Sequence, residues 1–359
     1  MSVLYKRGAK LKNTSKSISF IICVNDETYF EECLFYIDRL RLPEGYVAEV
    51  WPVRGAASIY QGYNLAMRQS EAEYKVYMHQ DVFLIEPDML LKFLELFERH
   101  PKAGMAGVLG ADRLSADRRF YRSWNQGNVI GCSEKKAFCN NLSEGAAQAA
   151  ALDGMFLMTH ADLPWREDAL SGWDFYDISQ SLEFGREGYE LWTLAGREPW
   201  CIHDCGYLNL AGYDKAQEAF LGIYQSGLPD YAEQDLVYPQ QYRQRFALMM
   251  ELKEQWKSLL FLGKEQEVRA TMEQVWDERF LDTEAVILKN ILEILQAERE
   301  EGVLGAESFL FDCGSFEQAQ RKYMEVKFYL RRKKYAPDAA ARPDVSAAAE
   351  RVIRSHTML

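Results

Sequence analysis

The run Ile18-Ser19-Phe20-Ile21-Ile22-Cys23-Val24 is followed directly by Asn25, Asp26 and Glu27. A continuous apolar run rich in β-branched residues predicts a strand that is buried on both faces, as is typical of a parallel sheet. The polar residues then mark the C-terminal end of that strand. Thr28 and Glu31 have the spacing of a capping box, and apolar residues recur after them at helical spacing, which predicts a helix.

The order of strand and helix then repeats along the chain. Predicted strands cover residues 47–53, 74–78, 105–109, 152–159 and 189–194, and predicted helices cover residues 58–69, 87–100 and 173–187. This alternation predicts an α/β domain with a mostly parallel sheet.

The pattern changes after about Tyr213. Residues 238–262, 265–279, 283–300 and 316–333 show helical periodicity without strand patterns between them. A chain of 359 residues is long enough for two domains. We therefore predict an N-terminal extension (1–16), an α/β domain (17–212), an all-α domain (213–335) and a disordered tail (336–359) rich in Ala, Pro and Asp.

Composition restricts the function. Hydrophobic residues make up 48% of the chain and charged residues 27%, as in folded globular proteins. The net charge of -12 disfavours a general nucleic-acid binder. The seven cysteines form no tight framework, and the first 16 residues lack the apolar stretch of a secretory signal. These features predict a reduced, cytoplasmic protein.

Several nucleotide-binding and hydrolase motifs are absent from the sequence. It contains no G-x-G-x-x-G after the first strand, no G-x-x-x-x-G-K-[ST] and no G-x-S-x-G. A dinucleotide fold, a P-loop and a nucleophile elbow are therefore disfavoured.

Polar groups follow three of the predicted strands. They are Asn25-Asp26-Glu27, Arg54-Gly55 and His79-Gln80-Asp81. Ligands of open α/β sheets bind beyond the carboxyl ends of the strands, so these groups are expected to converge on one site.

The order and spacing of these motifs resemble glycosyltransferase family 2, in the subset that carries His-Gln-Asp where most members carry Asp-x-Asp. The resemblance extends from Ser17 to about Tyr207, and the matching segments are Phe20–Asp26, Tyr63-Asn64, Tyr77–Val82, Asp153-Gly154, Trp173–Asp177 and His203-Asp204. It implies a GT-A fold and sugar transfer from a nucleotide-diphosphate donor to a glycan or lipid-linked hydroxyl acceptor.

The resemblance also implies roles for particular residues. Asp26 would contact the base or ribose of the donor, Asp81 would hold a divalent metal, and His203 matches a late metal ligand. The donor-binding set is Asn25, Asp26, Arg54, Asn64, His79, Gln80 and Asp81, and the metal ligands are Asp81, His203 and His79. Carboxylate oxygens suit Mg²⁺ or Mn²⁺, whereas an imidazole ligand favours Mn²⁺ over Mg²⁺.

The acidic segment Trp173–Asp177 supplies the predicted catalytic residues. An inverting transferase needs a carboxylate to take the proton of the acceptor hydroxyl. Asp174 is the preferred general base and Asp177 its neighbour, three residues further on. Asp153, Gly154 and Trp173 are the predicted acceptor-binding residues.

Each of these residues has a structural alternative. Asp26 and Asp174 can simply cap the helices that follow them, and His79 can act as a hydrogen-bonding neighbour of a ligand. At the level of the whole protein, the alternatives are a catalytically inert GT-A-like binding module and a scaffold that acts through its helical domain. The basic run Arg331–Lys334 ends an amphipathic stretch, which indicates either peripheral membrane contact or a solvated helix end.

Overall fold

The computed structural model describes residues 5–8, 16–115, 120, 123–132, 137–141, 144–205, 212–225, 240–276 and 282–357. The chain forms two compact units. The first comprises Met1–Gly131, Cys139–Asp204 and Gly212–Val237, and the second comprises Cys132–Phe138, Cys205–Ala211 and Tyr238–Leu359.

Strands and helices alternate up to residue 99, and seven described strands in succession then precede the next α-helix and the rest of the first unit. The strands are β1 (Tyr5–Gly8), β2 (Lys16–Val24), β3 (Tyr46–Arg54), β4 (Tyr74–His79), β5 (Val82–Leu84), β6 (Ala103–Gly107), β7 (Leu109–Ala111), β8 (Gln126–Cys132), β9 (Ala137–Asn141), β10 (Gly145–Ala149), β11 (Ala151–Leu152), β12 (Phe156–Thr159), β13 (Glu190–Ala195) and β14 (Cys201–His203). The helices are α1 (Glu27–Ile37), α2 (Ile59–Met67), α3 (Met89–Arg99), α4 (Tyr176–Arg186) and α5 (Tyr213–Tyr224).

The main sheet has the order β1-β3-β2-β4-β12-β6-β13-β10. Its central strands β3, β2 and β4 are parallel, as the apolar run in β2 predicts, and Ile18, Phe20, Ile21 and Ile22 are fully buried. The neighbouring strand β12 is antiparallel to both β4 and β6, so the sheet as a whole is mixed. The parallel core brings the ends of three strands to one edge, because Val24 pairs with Arg54 and Cys23 pairs with His79.

A second sheet approaches the same edge. Its order is β11-β7-β8-β14-β5. Strand β14 is antiparallel to β5, and His203 pairs with Val82. Because Asp81 immediately precedes Val82, this pairing places His203 beside the end of β4.

The boundaries differ in two places from those that the sequence predicts. Residues 5–8 of the expected N-terminal extension form β1, which pairs antiparallel with β3. Helix α5 (Tyr213–Tyr224) belongs to the first unit and not to the helical one. Phe220 accounts for this, since its fully buried ring stacks on Phe175 at 5.1 Å in the first unit.

The second unit is helical. It contains α6 (Gln240–Phe261), α7 (Glu265–Val275), α8 (Thr283–Glu301), α9 (Phe316–Tyr335) and α10 (Ala347–Thr357). Helix α8 begins at a capping residue, Asp282, whose carboxylate accepts a hydrogen bond from the amide of Ala285, and it ends at Gly302 in the left-handed conformation.

The predicted disorder of residues 336–359 is wrong for residues 336–357. Helix α10 packs against α8 and α9, with Ala348, Ala349 and Ile353 fully buried. Its start is anchored by Ser346, whose hydroxyl donates a 2.5 Å hydrogen bond to the buried carboxylate of Glu298. The Ala-rich composition of the segment conceals this apolar face.

The surroundings of the basic end of α9 do not support the membrane-contact interpretation of the basic run. The apolar residues that precede the run, among them Tyr323 and Val326, are buried within the helical unit, and Arg331 is 0% exposed. An amphipathic helix needs a free apolar face to lie in a membrane surface. The apolar face of α9 is buried and therefore cannot make that contact. None of the helices in the described part of the chain has the length and hydropathy of a membrane span.

Candidate active site

Gln80 ties the ends of β2 and β4 together. Its side-chain oxygen accepts hydrogen bonds from the backbone amides of Asn25 (3.0 Å) and Asp26 (3.1 Å), and its amide group donates to the side chain of Asn25. The expected convergence of these polar groups is therefore present. Both polar atoms of the Gln80 side chain form hydrogen bonds within the protein, so Gln80 supports the shape of the site.

Asp26 is the N-cap of α1. Its Oδ1 accepts hydrogen bonds from the amides of Thr28 (2.8 Å) and Tyr29 (3.2 Å). This confirms the capping alternative and replaces the capping box predicted at Thr28 and Glu31. Oδ2 makes no hydrogen bond to any residue that the structure describes, so the cap leaves one carboxylate oxygen for a ligand.

Arg54 lies at the end of β3 in a bidentate ion pair. Its Nε and Nη2 donate to the two carboxylate oxygens of Glu27, at 2.6 and 2.8 Å. The hydrogen bonds from Arg54 lower the pKa of Glu27, and the same bonds to Glu27 raise the pKa of Arg54. Both groups are exposed, so the pair contributes little stability and can open to admit an anion.

His79, Asp81 and His203 form one cluster. His79 Nδ1 lies 3.3 Å from His203 Nε2 and 3.9 Å from Asp81 Oδ1, and His203 Nε2 lies 3.7 Å from the same oxygen. Burial lowers the pKa of His79, which favours the neutral imidazole with a free lone pair. The three predicted metal ligands are thus brought together by the ends of β4 and β14.

The donor atoms of this cluster fit a divalent cation. Metal–ligand bonds of about 2.1 Å place neighbouring ligand atoms roughly 3.0–3.5 Å apart, close to the separations seen here. All three side chains are partly buried, and their ligand atoms lie within 4.8 Å of one another. Two nitrogens and one oxygen form a mixed ligand set that suits Mn²⁺ better than Mg²⁺.

Asp174 lies just before α4. The N-cap of this helix is Phe175, which makes no side-chain cap bond, so the interpretation of Asp174 as a helix cap is wrong. Its backbone carbonyl accepts a hydrogen bond from the Tyr60 hydroxyl at 2.8 Å. The carboxylate is half-buried, has no hydrogen bond or ion pair among the described residues, and has its pKa raised by burial.

Asp177 points inward, toward the turn at Asp153 and Gly154. Its Oδ2 accepts a hydrogen bond from the amide of Gly154 (3.0 Å), and its Oδ1 accepts one from its neighbour Ile178 (2.8 Å). Burial and the charge of Asp153 raise the pKa of Asp177 to about 7. Asp153 in turn accepts a bond from the amide of Met155. Asp177 therefore holds this turn in place.

Two other predicted residues fall at opposite extremes of burial. Trp173 is 52% exposed, as an acceptor-stacking residue would be. Asn64 is fully buried, and its side-chain amide pairs with both the amide and the carbonyl of Trp165, at 2.9 and 2.8 Å. The donor-binding role predicted for Asn64 is therefore wrong, since both of its polar ends are used in the core.

Tyr176 is a residue of the site that the sequence patterns do not predict. Its hydroxyl makes a short hydrogen bond to His79 Nε2, and its ring lies edge-on to Tyr60 at 6.4 Å. The residue lies between the two predicted catalytic acids, but a tyrosine among aromatic neighbours carries no distinguishing pattern in the sequence. Only the tertiary contact between the start of α4 and the end of β4 identifies it.

The first unit therefore carries a candidate metal cluster at the strand ends of an α/β sheet, and a half-buried carboxylate, Asp174, just before α4. Residues 19–224 match the model of the glycosyltransferase-like family, and the chain belongs to this family. The match ends at the last residue of α5, and the first unit has a fold of the GT-A type.

Comparison with curated proteins gives no match. Among solved structures, the mannosyltransferase PcManGT from Pyrobaculum calidifontis, in complex with GDP-Man and Mn²⁺, is similar over 86% of this chain and 86% of its own. The two share 12% identity with a TM-score of 0.38, a likeness too distant to indicate the donor or the metal of this chain.

Proposed function

We propose that this protein transfers a sugar from a nucleotide-diphosphate donor to a hydroxyl acceptor, with a divalent cation and with inversion at the anomeric carbon. The observation that carries the proposal is the cluster of His79, Asp81 and His203 at the strand ends. Asp174, the candidate base, lies two residues before Tyr176, which contacts this cluster through His79.

The cluster provides what a diphosphate requires. A cation held by His79, Asp81 and His203 would neutralise the phosphate charge of the donor and of the departing nucleoside diphosphate. Asn25 and Asp26 lie at the adjoining strand end, where Asp26 keeps one carboxylate oxygen for the base or ribose. Arg54 supplies a positive charge at this edge, and its guanidinium can exchange the Glu27 carboxylate for a phosphate oxygen.

Asp174 is the group best placed to act as general base. Inversion requires the acceptor oxygen to attack the anomeric carbon while a base takes its proton. Asp174 offers an unpaired carboxylate and follows Trp173 in the chain, whose exposed indole can stack on an acceptor sugar. Asp177 is unsuited to this role, because both of its oxygens bond to backbone amides.

The acceptor and the place of action are part of the same proposal. We propose a glycan or lipid-linked acceptor and a cytoplasmic location for the reaction. The exposed Trp173 supports a carbohydrate acceptor, since an indole face packs well against a sugar ring.

The test is calorimetric titration of UDP and GDP into the protein with Mn²⁺, with Mg²⁺ and in EDTA. We expect one nucleoside diphosphate to bind more tightly with Mn²⁺ than with Mg²⁺, and Asp81→Ala to abolish the metal-dependent part of the affinity. Asp168→Ala is the control, because the exposed Asp168 pairs with Arg166 and neither residue belongs to the cluster, so binding should be unchanged.

Two results would refute parts of the proposal. Equal affinity in EDTA, or an Asp81→Ala variant that binds like the wild type, would remove the metal site. Tight nucleotide-sugar binding without donor hydrolysis or transfer over a panel of acceptors would indicate a binding module and not an enzyme.

A further inference from the structure

The two nitrogens of the His79 imidazole have different surroundings. Nδ1 faces His203 and Asp81, at 3.3 and 3.9 Å from their nearest polar atoms. Nε2 faces away from the cluster. Among the described residues, its hydrogen-bond partner is the hydroxyl of Tyr176. The direction of Nδ1 therefore depends on what holds Nε2.

The hydroxyl of Tyr176 is held in one place by packing. The ring is 5% exposed and lies 6.0 Å, centroid to centroid, from both Tyr63 and Trp165. Gly154 lies so close that a β-carbon added there would be 2.0 Å from the tyrosine hydroxyl. The absent side chain at Gly154 thus makes room for this hydroxyl, and the hydroxyl cannot swing away from His79 without displacing the core.

We propose that Tyr176 is a positioning residue for the metal site, which holds His79 with Nδ1 directed at the cation. This inference rests on the proposed function, because it assumes that the cluster binds a metal. A metal bond at Nδ1 requires a lone pair there, so the ring proton must lie on Nε2 and needs an acceptor. The Tyr176 oxygen is that acceptor.

A tyrosine is well suited to this position because its hydroxyl both donates and accepts. When the ring proton is on Nδ1, the tyrosine hydroxyl can donate a hydrogen bond to Nε2. When the ring proton is on Nε2, the hydroxyl oxygen can accept a hydrogen bond from it. The imidazole therefore keeps its orientation in both tautomers. Hydrogen-bonding partners of metal-bound histidines act in this way and commonly account for one to two orders of magnitude in affinity.

The test measures Mn²⁺ binding to the full chain without nucleotide. Binding is detected as the loss of the free Mn²⁺ signal in electron paramagnetic resonance. Tyr176→Phe removes only the hydroxyl and should weaken Mn²⁺ binding by about 10–100-fold. Tyr74→Phe is the matched control, since Tyr74 is also buried but lies at the opposite end of β4 from His79. Its affinity for Mn²⁺ should equal that of the wild type.

A double-mutant cycle separates positioning from a general loss of structure. In a His79→Ala background, Tyr176→Phe should cause no further loss of Mn²⁺ affinity, because the group that it orients is gone. Additive losses would overturn the proposal, as would a Tyr176→Phe variant that binds Mn²⁺ like the wild type while Asp81→Ala does not. If the wild type binds no Mn²⁺, the metal site of the proposed function fails, and this inference fails with it.

A measurement on the wild type covers the case in which Tyr176→Phe does not fold. With Zn²⁺ as a diamagnetic probe, long-range ¹H–¹⁵N correlation spectra should show His79 protonated at Nε2 and bound to the metal through Nδ1. Metal binding through Nε2 would overturn the proposal.

Discussion

At the scale of single residues, Asp174 and Asp177 differ in what surrounds them, although the sequence offers them as similar candidates. Asp177 is engaged by two backbone amides, whereas the Asp174 carboxylate has no described partner. A group that must accept a proton from a substrate has to be accessible to it, so their environments assign different roles to the two acids.

Asp174→Asn should lower turnover by about 10²–10⁴-fold, the usual contribution of a general base. The affinity for the donor diphosphate and the melting temperature should stay near those of the wild type. Because burial raises the pKa of Asp174, turnover of the wild type should rise with pH until this carboxyl is deprotonated. Steady-state kinetics against pH measure both effects. Near-normal turnover of Asp174→Asn would place the base elsewhere.

Asp177 predicts a pH dependence of stability. Its pKa is about 7 in the folded protein, against about 3.9 in an unfolded chain. Between these values the folded state holds a proton that unfolding releases, so the contribution of this group to stability falls as pH rises from about 4 to about 7. Asp153→Asn removes a neighbouring charge that raises this pKa, and should therefore gain stability relative to the wild type across that range. Melting temperatures in EDTA at several pH values would show it, and a pH-independent difference would contradict it.

At the scale of elements, the start of α4 is the part of the fold on which the site depends. Phe175 adopts φ 62° and ψ 3°, a left-handed conformation and the one non-glycine positive φ in the described chain. The tight turn there lets Asp174 remain partly exposed while Tyr176 and Asp177 turn inward. Unfavourable backbone geometry of this kind persists where packing enforces it, and the Phe175 ring supplies that packing through Tyr213 at 4.8 Å and Phe220 at 5.1 Å.

This geometry predicts an inverted order of stability for two variants. Phe175→Ala and Phe175→Gly both lose the buried ring and should destabilise by about 3–5 kcal/mol. The glycine variant, however, avoids the left-handed cost of about 1–2 kcal/mol and should be the more stable of the two. Chemical denaturation measures the difference. An alanine variant at least as stable as the glycine variant would show that the backbone is not held in this conformation.

Helix α10 is an element that composition alone conceals. Ile353 is 0% exposed, and its replacement by Ala should cost about 2–5 kcal/mol in the stability of the helical unit. Arg351→Ala, on the same helix, removes an ion pair with Glu301 whose arginine side chain is 58% exposed, and should cost at most about 1 kcal/mol. Thermal unfolding of both variants gives the comparison. Equally small effects would mean that the helix does not pack in solution.

At the scale of the whole molecule, charge and burial together bear on membrane contact. The net charge is -12, the apolar face of α9 is buried, and Arg331 is inaccessible. The exposed Lys333 and Lys334 would each contribute only about 1 kcal/mol at an anionic surface.

We therefore expect no co-sedimentation with phosphatidylserine-containing vesicles at physiological salt. A variant that lacks the two exposed lysine charges, Lys333→Ala with Lys334→Ala, should behave identically to the wild type. Strong co-sedimentation that this double variant abolishes would restore the membrane interpretation of the basic run.

Much of the first unit was predictable because its cause is local. The apolar run of β2 requires burial on both faces, and helical spacing after it requires a crossover, which together predict parallel strands with polar ends at one edge. The placement of Asn25, Asp26 and His79 at that edge follows from these patterns. The family resemblance then supplied the expectation that Asp81 and His203 meet, although they lie far apart in the chain.

The sequence by itself determined the α/β class, the helical second unit and the polar edge of the sheet, because each depends on periodicity within a short window. Only the tertiary structure decided which polar groups remain available there. Asn64 forms hydrogen bonds with the backbone of Trp165, Gln80 with two backbone amides, and Asp177 with the amide of Gly154. The carboxylate of Asp174 has no hydrogen bond to any described residue. The physical reason is that hydrogen bonds between segments distant in the chain depend on how those segments pack, and no local pattern records that packing.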